Sequence, residues 1–353
     1  MDTRRYAIAP QQMAGGYGSV IEIHDRYLDR PVLFKQMHDP ANNSQLVTEV
    51  AALTGIRSRH IIDIYDVDID QHGMLTGIII ENLRGRDYLH FYAEAAQNPA
   101  ELTKVVYQLA CAVSDLHTAN IIHRDLKLDN FKASDAGIVK LYDFGISSAS
   151  GTHVTTQNRG TLDYAAPELF TAGGVVTRAS DIYSLGICCW KLATNHFPAQ
   201  LTEQPPQRSG PPPPLGTLAP FVDRELADII HACIHPDPAE RPSAKQVMKR
   251  CEALLLKGQH KGMFFSERFA VYELSAQHPT VRIQINTLGE LRAAYDGTEF
   301  KVTGVIGDVY VNNVPAVVGR PLHDACVVTF GSFDVGRNRQ HISFLCSKPE
   351  IVL

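Results

Sequence analysis

The sequence predicts an α+β protein with a small β-rich region, a larger α-rich region and then a separate β-sandwich. Three observations predict it. Up to about residue 83, apolar residues come in short runs parted by polar turns. From residue 99 they recur at helical spacing. Beyond a break at Lys257–Gly262, short β-type runs return between Gly and Asn turns. At 353 residues the chain has room for two to three domains. We read residues 6–256 as one domain divided near residue 83 (6–83 and 84–256), 257–262 as a linker and 263–353 as the sandwich.

Taken in order, Val20–Ile23 and Pro31–Lys35 read as strands around a polar turn. Residues 44–56 carry Leu46, Val50 and Leu53 on one helical stripe. Ile61–Val67 and Leu75–Glu81 read as two more strands. Leu102, Val105, Val106, Leu109, Val113 and Leu116 then mark a long helix. Phe131–Tyr142 reads as a hairpin closed by Ser134-Asp135-Ala136-Gly137. Residues 205–214 hold six prolines in ten and must be extended, either as a polyproline ligand for an aromatic-lined groove or as a stiff surface loop. The C-terminal strands are expected at Phe269–Leu274, Val281–Ile285, Phe300–Val305, Val309–Val311, Cys326–Phe330 and Ile342–Cys346.

Composition excludes several classes. Apolar residues at 44% and charged residues at 20% are ordinary for a folded chain. A net charge of −5 without a basic block argues against nucleic-acid binding. No run approaches the ~18 apolar residues of a membrane span, and Met1–Tyr6 leads into no signal-peptide core. The seven scattered cysteines lack a C-x-x-C, so reduced thiols in a cytoplasmic protein are expected and structural zinc is not.

The densest chemical signal is His123-Arg124-Asp125-Leu126-Lys127-Leu128-Asp129-Asn130, followed by Asp143-Phe144-Gly145. Phosphoryl transfer needs metal ions against the triphosphate and a carboxylate to take the proton of the attacking hydroxyl. Asp125 suits the second task; Asn130 and Asp143 offer the hard oxygen ligands that Mg²⁺ prefers. The intervening hairpin would bring those two together.

On these residues the chain resembles the eukaryotic-type serine/threonine protein kinases, in particular their bacterial members. Gly15, Gly16, Gly18 and Val20 resemble the glycine-rich phosphate loop, Lys35 the strand lysine and Glu49 its helix partner. Gly160–Glu168 is similar to the end of the activation segment, and Asp181–Gly186 to the helix that anchors the catalytic loop. Arg241 is the expected partner of Glu168. The resemblance covers about residues 6–256 and implies the bilobal kinase fold, with ATP and Mg²⁺ as cofactors and protein substrates. It implies that backbone groups of Glu81 and Leu83 meet the adenine edge. Lys127 with Thr161 implies serine/threonine specificity, and Arg124 implies activation-loop control, which we expect through autophosphorylation at Thr155 or Thr156. His123 is expected to pack against Phe144 rather than to act as an acid or base. Met13, Leu33 and Lys132 depart from the family pattern around the loop and the adenine site, so a pseudokinase scaffold is the alternative reading.

The stretch Gly307–Asn313, with Gly319–Asp324 and Val327–Gly331, resembles the second half of a forkhead-associated domain. That resemblance implies phosphothreonine peptides as partners, with Ser275-Ala276-Gln277-His278 as a candidate Ser-x-x-His turn. An unrelated sandwich that docks substrates or partners is the other reading.

Overall fold

The computed structural model describes residues 2–14, 18–144, 148–149, 153–154, 162–171, 173–266 and 271–353. The chain divides into two compact units, residues 1–251 and 252–352. Among the described residues, no helix is long and apolar enough to cross a membrane.

The first unit opens with an antiparallel sheet of β1 (Tyr6–Ala14), β2 (Gly18–Asp25), β3 (Arg30–Met37), β4 (Ile64–Ile69) and β5 (Leu75–Glu81), in the order β1-β2-β3-β5-β4. Residues directly opposite across a ladder share a face. Ile21 faces Phe34, Ile23 faces Val32 and Phe34 faces Ile79, and these pack with Tyr6 and Tyr65 into one core. The other face therefore carries Val20, Glu22, Leu33, Lys35, Ile78 and Ile80. The helix α1 (Ser44–Thr54) buries Leu46, Glu49, Ala52 and Leu53, so the Glu49 carboxylate lies on its apolar side. Ile61 and Ile62, which the apolar run assigned to a strand, lie before β4: Ile61 bridges Leu141 and the Ile62 N–H donates to the Leu141 carbonyl at 3.0 Å.

The helical part is centred on α2 (Pro99–Thr118), started by Asn98, whose side chain accepts the Glu101 N–H. The short strands β6 (Phe131–Ala133) and β7 (Val139–Leu141) form the expected hairpin, with Gly137 at φ 78° in its turn. The helix α3 (Arg178–Ala193) is apolar nearly all round and buried accordingly. A Cβ on its Gly186 would lie 2.7 Å from both Cys233 Cβ and Ile234 Cγ2, at the end of α4 (Arg224–Cys233), so glycine sets that helix contact. The helix α5 (Ala244–Leu256) follows.

The second unit holds β8 (Gly262–Ser266), β9 (Val271–Leu274), β10 (Thr280–Ile285), β11 (Gly289–Tyr295), β12 (Phe300–Gly307), β13 (Val309–Val311), β14 (Val314–Pro315), β15 (Ala325–Phe330) and β16 (Gln340–Cys346). They make a six-stranded sheet, β9-β8-β16-β15-β13-β14, and a three-stranded one, β10-β11-β12. Both sheets feed one core: Phe264, Val328, Phe330 and Phe344 from the first, Ile283, Leu291, Tyr295 and Phe300 from the second. Gly262 lies under the Phe344 ring, whose Cε2 would be 2.6 Å from an added Cβ.

Candidate active site

Lys35 stands on β3 between Val20 of β2 and Ile78 of β5. Its Nζ donates to Glu49 Oε2 at 2.8 Å and to Asp143 Oδ1 at 2.9 Å. The strand, the α1 helix and the segment after β7 thus meet at one ammonium. Burial alone would lower the Lys35 pKa; the two carboxylates outweigh it and hold the pKa above the usual lysine range. Burial would likewise raise the Asp143 pKa, and the Lys35 ammonium overrides it and keeps the carboxyl below its usual range. Two carboxylates share one cation, so the cluster keeps an excess negative charge. Its open end is Asp143, whose side chain is 48% exposed against 2% for Glu49.

The loop before β6 is held from below by Asp181 in the first turn of α3. This carboxylate, 1% exposed, accepts the backbone N–H groups of His123 at 2.8 Å and Arg124 at 2.9 Å, and lies 3.0 Å from His117 Nε2. Those bonds hold Arg124 at φ 74°, a conformation that costs a non-glycine residue energy. Asp125 follows, its Oδ2 accepting from Lys127 Nζ at 2.8 Å and its carbonyl from Asn130 Nδ2 at 2.8 Å. Asn130 is buried, and its own carbonyl accepts the Tyr142 N–H at 3.0 Å, which ties the loop to the residue before Asp143. His123 packs edge-on to Phe144, ring centroids 4.9 Å apart, as the sequence reading expects, and burial lowers its pKa. Among the described residues, no group of three or more His, Cys, Asp or Glu side chains is arranged to hold a metal by itself.

The segment leaving β5 runs through Glu81, Asn82 and the buried Leu83. The Glu81 side chain points to the face opposite Ile80 and meets Lys140 Nζ at 2.6 Å, while Lys140 also reaches Asp63 Oδ2 at 3.1 Å. Asn82 Nδ2 and an Arg84 guanidinium nitrogen donate to Glu22 of β2 at 2.9 and 2.8 Å. A Cβ on Gly85 would fall 2.5 Å from the Ser134 carbonyl oxygen and 2.6 Å from that of Ala133, so only glycine lets the chain cross the hairpin there. Glu22, Asp63, Lys140 and Gly85 carry no motif and escape sequence reasoning; the lysine in the otherwise apolar Val139-Lys140-Leu141 is the one signal. Leu33 lies on the face of Lys35, opposite Ile80 of β5. Lys132, half-buried, pairs with Lys140 across the hairpin and bridges Asp87. Gly18 and Val20 belong to β2, whereas Gly15, Gly16, Thr155, Thr156 and Thr161 lie outside the described residues.

A family model described as a protein kinase domain matches residues 13–251. The serine/threonine-protein kinase PrkC of Bacillus subtilis is 31% identical over 203 residues, 55% of this chain and 31% of that protein. PknL of Mycobacterium tuberculosis, also a serine/threonine-protein kinase, is 32% identical over 203 residues, 55% of this chain and 50% of its own. The drp72 kinase of Corynebacterium efficiens is 28% identical over 251 residues, 64% of this chain and 46% of that one. The chain spans a third to a half of the length of these curated relatives.

Proposed function

The chain belongs to the protein kinase family, and we propose that it transfers the γ-phosphoryl group of ATP to serine and threonine hydroxyls of proteins. The observation that carries the reading is the convergence at Lys35: one ammonium 2.8 Å from Glu49 and 2.9 Å from Asp143. In this reading Lys35, positioned by Glu49, meets the phosphates, covered by the loop of Gly15, Gly16 and Gly18 with Val20 beside it. Backbone groups of Glu81 and Leu83 take the adenine edge. The excess negative charge of the cluster supports Asp143 and Asn130 as the residues that hold Mg²⁺, which supplies positive charge against the triphosphate. The substrate hydroxyl oxygen forms the new bond to phosphorus and its proton passes to Asp125. The bond from that phosphorus to the bridging oxygen breaks, and ADP leaves. Lys127, 2.8 Å from Asp125, orients that carboxylate and faces the transferred group.

The finer parts of the proposal are autophosphorylation at Thr155 or Thr156 and docking by the C-terminal sandwich. The Ser275 hydroxyl is buried, donates to Gln277 Oε1 at 3.3 Å and accepts the His278 N–H of its own turn at 3.3 Å. This occupation of Ser275 favours docking of unmodified protein partners over phosphothreonine peptides. A catalytically silent scaffold is the second reading, favoured by Leu33 and Lys132 at the adenine site.

Incubation with γ-labelled ATP, Mg²⁺ and a cell extract, followed by mass spectrometry, tests transfer and autophosphorylation. Label is expected on serine and threonine, including Thr155 or Thr156. Asp125→Asn should lower the rate by about 10²–10⁴-fold, the usual size of a general-base contribution. Transfer by neither protein, with nucleotide still bound, would establish the scaffold.

A further inference from the structure

The proline-rich stretch plays no part in phosphoryl transfer, yet its conformation is specific. Each of Pro211, Pro212 and Pro213 precedes a proline, which confines it to extended backbone, and Pro214 has φ −54° and ψ 136°. Four such residues make a left-handed polyproline helix with three residues per turn. Of the four prolines Pro212 alone is buried on the domain, whereas Pro211 and Pro214, three apart and so on one edge, are exposed together with Pro213. One edge of the triangular rod is therefore seated and the other two face outward.

The rod is also clamped at both ends. Upstream, Ser209 N–H donates to Glu203 at 2.8 Å and the Ser209 hydroxyl bonds the same carboxylate. Gln207 Nε2 donates to the Ile234 carbonyl at 2.6 Å. Gly210 at φ 126° turns the chain into the run. Downstream, the buried Leu215 begins the short helix Leu215–Leu218. Arg208, exposed, stands three residues before Pro211, as Pro214 stands three after.

We propose that the preformed rod Pro211–Pro214, with the exposed Arg208 before it, is a docking ligand for a partner domain whose groove is lined by aromatic rings and ends in a carboxylate. Such grooves take two edges of a polyproline rod and leave the third outside. The two exposed edges fit that requirement, and the seated edge is the one a groove does not need. Arg208 supplies the charge that sets direction. Because the rod is already extended, binding escapes the ordering cost that a flexible peptide carries. The inference rests on residues 203–215 and stands whether or not the chain transfers phosphate.

The test titrates the full chain into an isotope-labelled SH3 domain that recognises Arg-x-x-Pro-x-x-Pro peptides, followed by NMR. Saturable shifts confined to the groove aromatics are expected. Arg208→Glu, and separately Pro211→Ala with Pro214→Ala, should each weaken binding by at least ~10-fold, or ~1.4 kcal/mol. Fluorescence of the single tryptophan, the buried Trp190, confirms that the variants stay folded. Shifts that neither variant weakens would overturn the proposal. So would binding of a free 206–216 peptide without binding of the chain, because the seated edge would then block the groove. Silence from both chain and peptide overturns it as well and leaves the stretch a stiff spacer.

Discussion

Lys35 divides one ammonium between two carboxylates, whereas Arg241 meets an acceptor at every donor it owns. Its Nε binds the His235 carbonyl at 2.7 Å, one terminal nitrogen binds Glu168 Oε1 and the Ala179 carbonyl at 2.8 and 2.9 Å, and the other binds Glu168 Oε2 and the Pro236 carbonyl at 2.8 and 3.1 Å. The Arg241 side chain is 0% exposed, while that of Asp143 is 48% exposed. The two clusters use the same chemistry to opposite ends. A saturated, closed pair has nothing left to offer a ligand and can only hold the chain together. A shared, unbalanced one has a surplus charge that a cation or a phosphate can rearrange. Saturation, rather than the presence of opposite charges, separates architecture from chemistry here.

The largest expected effect breaks the closed pair. Arg241→Ala leaves the Glu168 carboxylate and the carbonyls of Ala179, His235 and Pro236 without their donor, and breaking a buried pair costs about 3–5 kcal/mol. Urea unfolding followed through Trp190, which reports the same unit, should show a midpoint lowered by that amount. Arg241→Lys should recover only part of it, because an ammonium cannot reproduce the planar fork. A loss under ~1 kcal/mol would mean that saturation adds nothing and that the comparison fails.

The next effect removes the surplus charge alone. Asp143→Asn keeps the size of the side chain and tolerates φ 66°, a conformation asparagine adopts more readily than most residues. The Trp190 midpoint should stay within about 0.5 kcal/mol of wild type, as for an open site. Phosphoryl transfer should fall by about 10²–10³-fold, the scale of losing one well-placed electrostatic group. A variant that keeps its rate but loses stability would show that the cluster is a second structural pair.

Sequence reasoning reached the residues whose chemistry admits few substitutes and missed those whose role arises only on folding. Asp125, Asn130 and Asp143 stand out in the sequence because the phosphate and metal chemistry proposed for them needs those side chains in that order. Glu22 and Arg84, 62 positions apart, become partners only once β2 lies over the segment leaving β5. Strand β1 was hidden by Pro10, an unlikely strand residue that is tolerated at a sheet edge where the register shifts between Ile8 and Gln12. Strand β11 was hidden by the buried Glu290, which no alternation rule places inside. Arg282 and Arg292 each meet it at 2.7 Å and make that burial possible.

The smallest effect, pH, separates the two kinds of buried group without mutating either cluster. With its folded pKa below the ordinary carboxylate value, Asp143 contributes stability above pH 3.8 that is lost only as the pH falls further, so the cluster is silent near neutrality. His60 and His123 behave differently: burial lowers both below 6.5, despite Asp115 near the first and Asp181, Asp125 and Asp143 near the second. Arg59 and Lys140 add to the lowering at His60. Below pH 6.5 the unfolded chain binds protons that the folded one refuses, so stability must fall with pH in that window. Each histidine contributes at most about 1.4 kcal/mol per pH unit. Melting followed at Trp190 should therefore be level from pH 8 to about 7 and decline toward pH 5.5. The slope should lessen in His60→Gln, which keeps a donor for the Val139 carbonyl that His60 Nδ1 meets at 3.0 Å. A melting temperature that rises on acidification would place charged histidines inside the fold and remove the contrast between a titrating interior and a cleft that stays ionised.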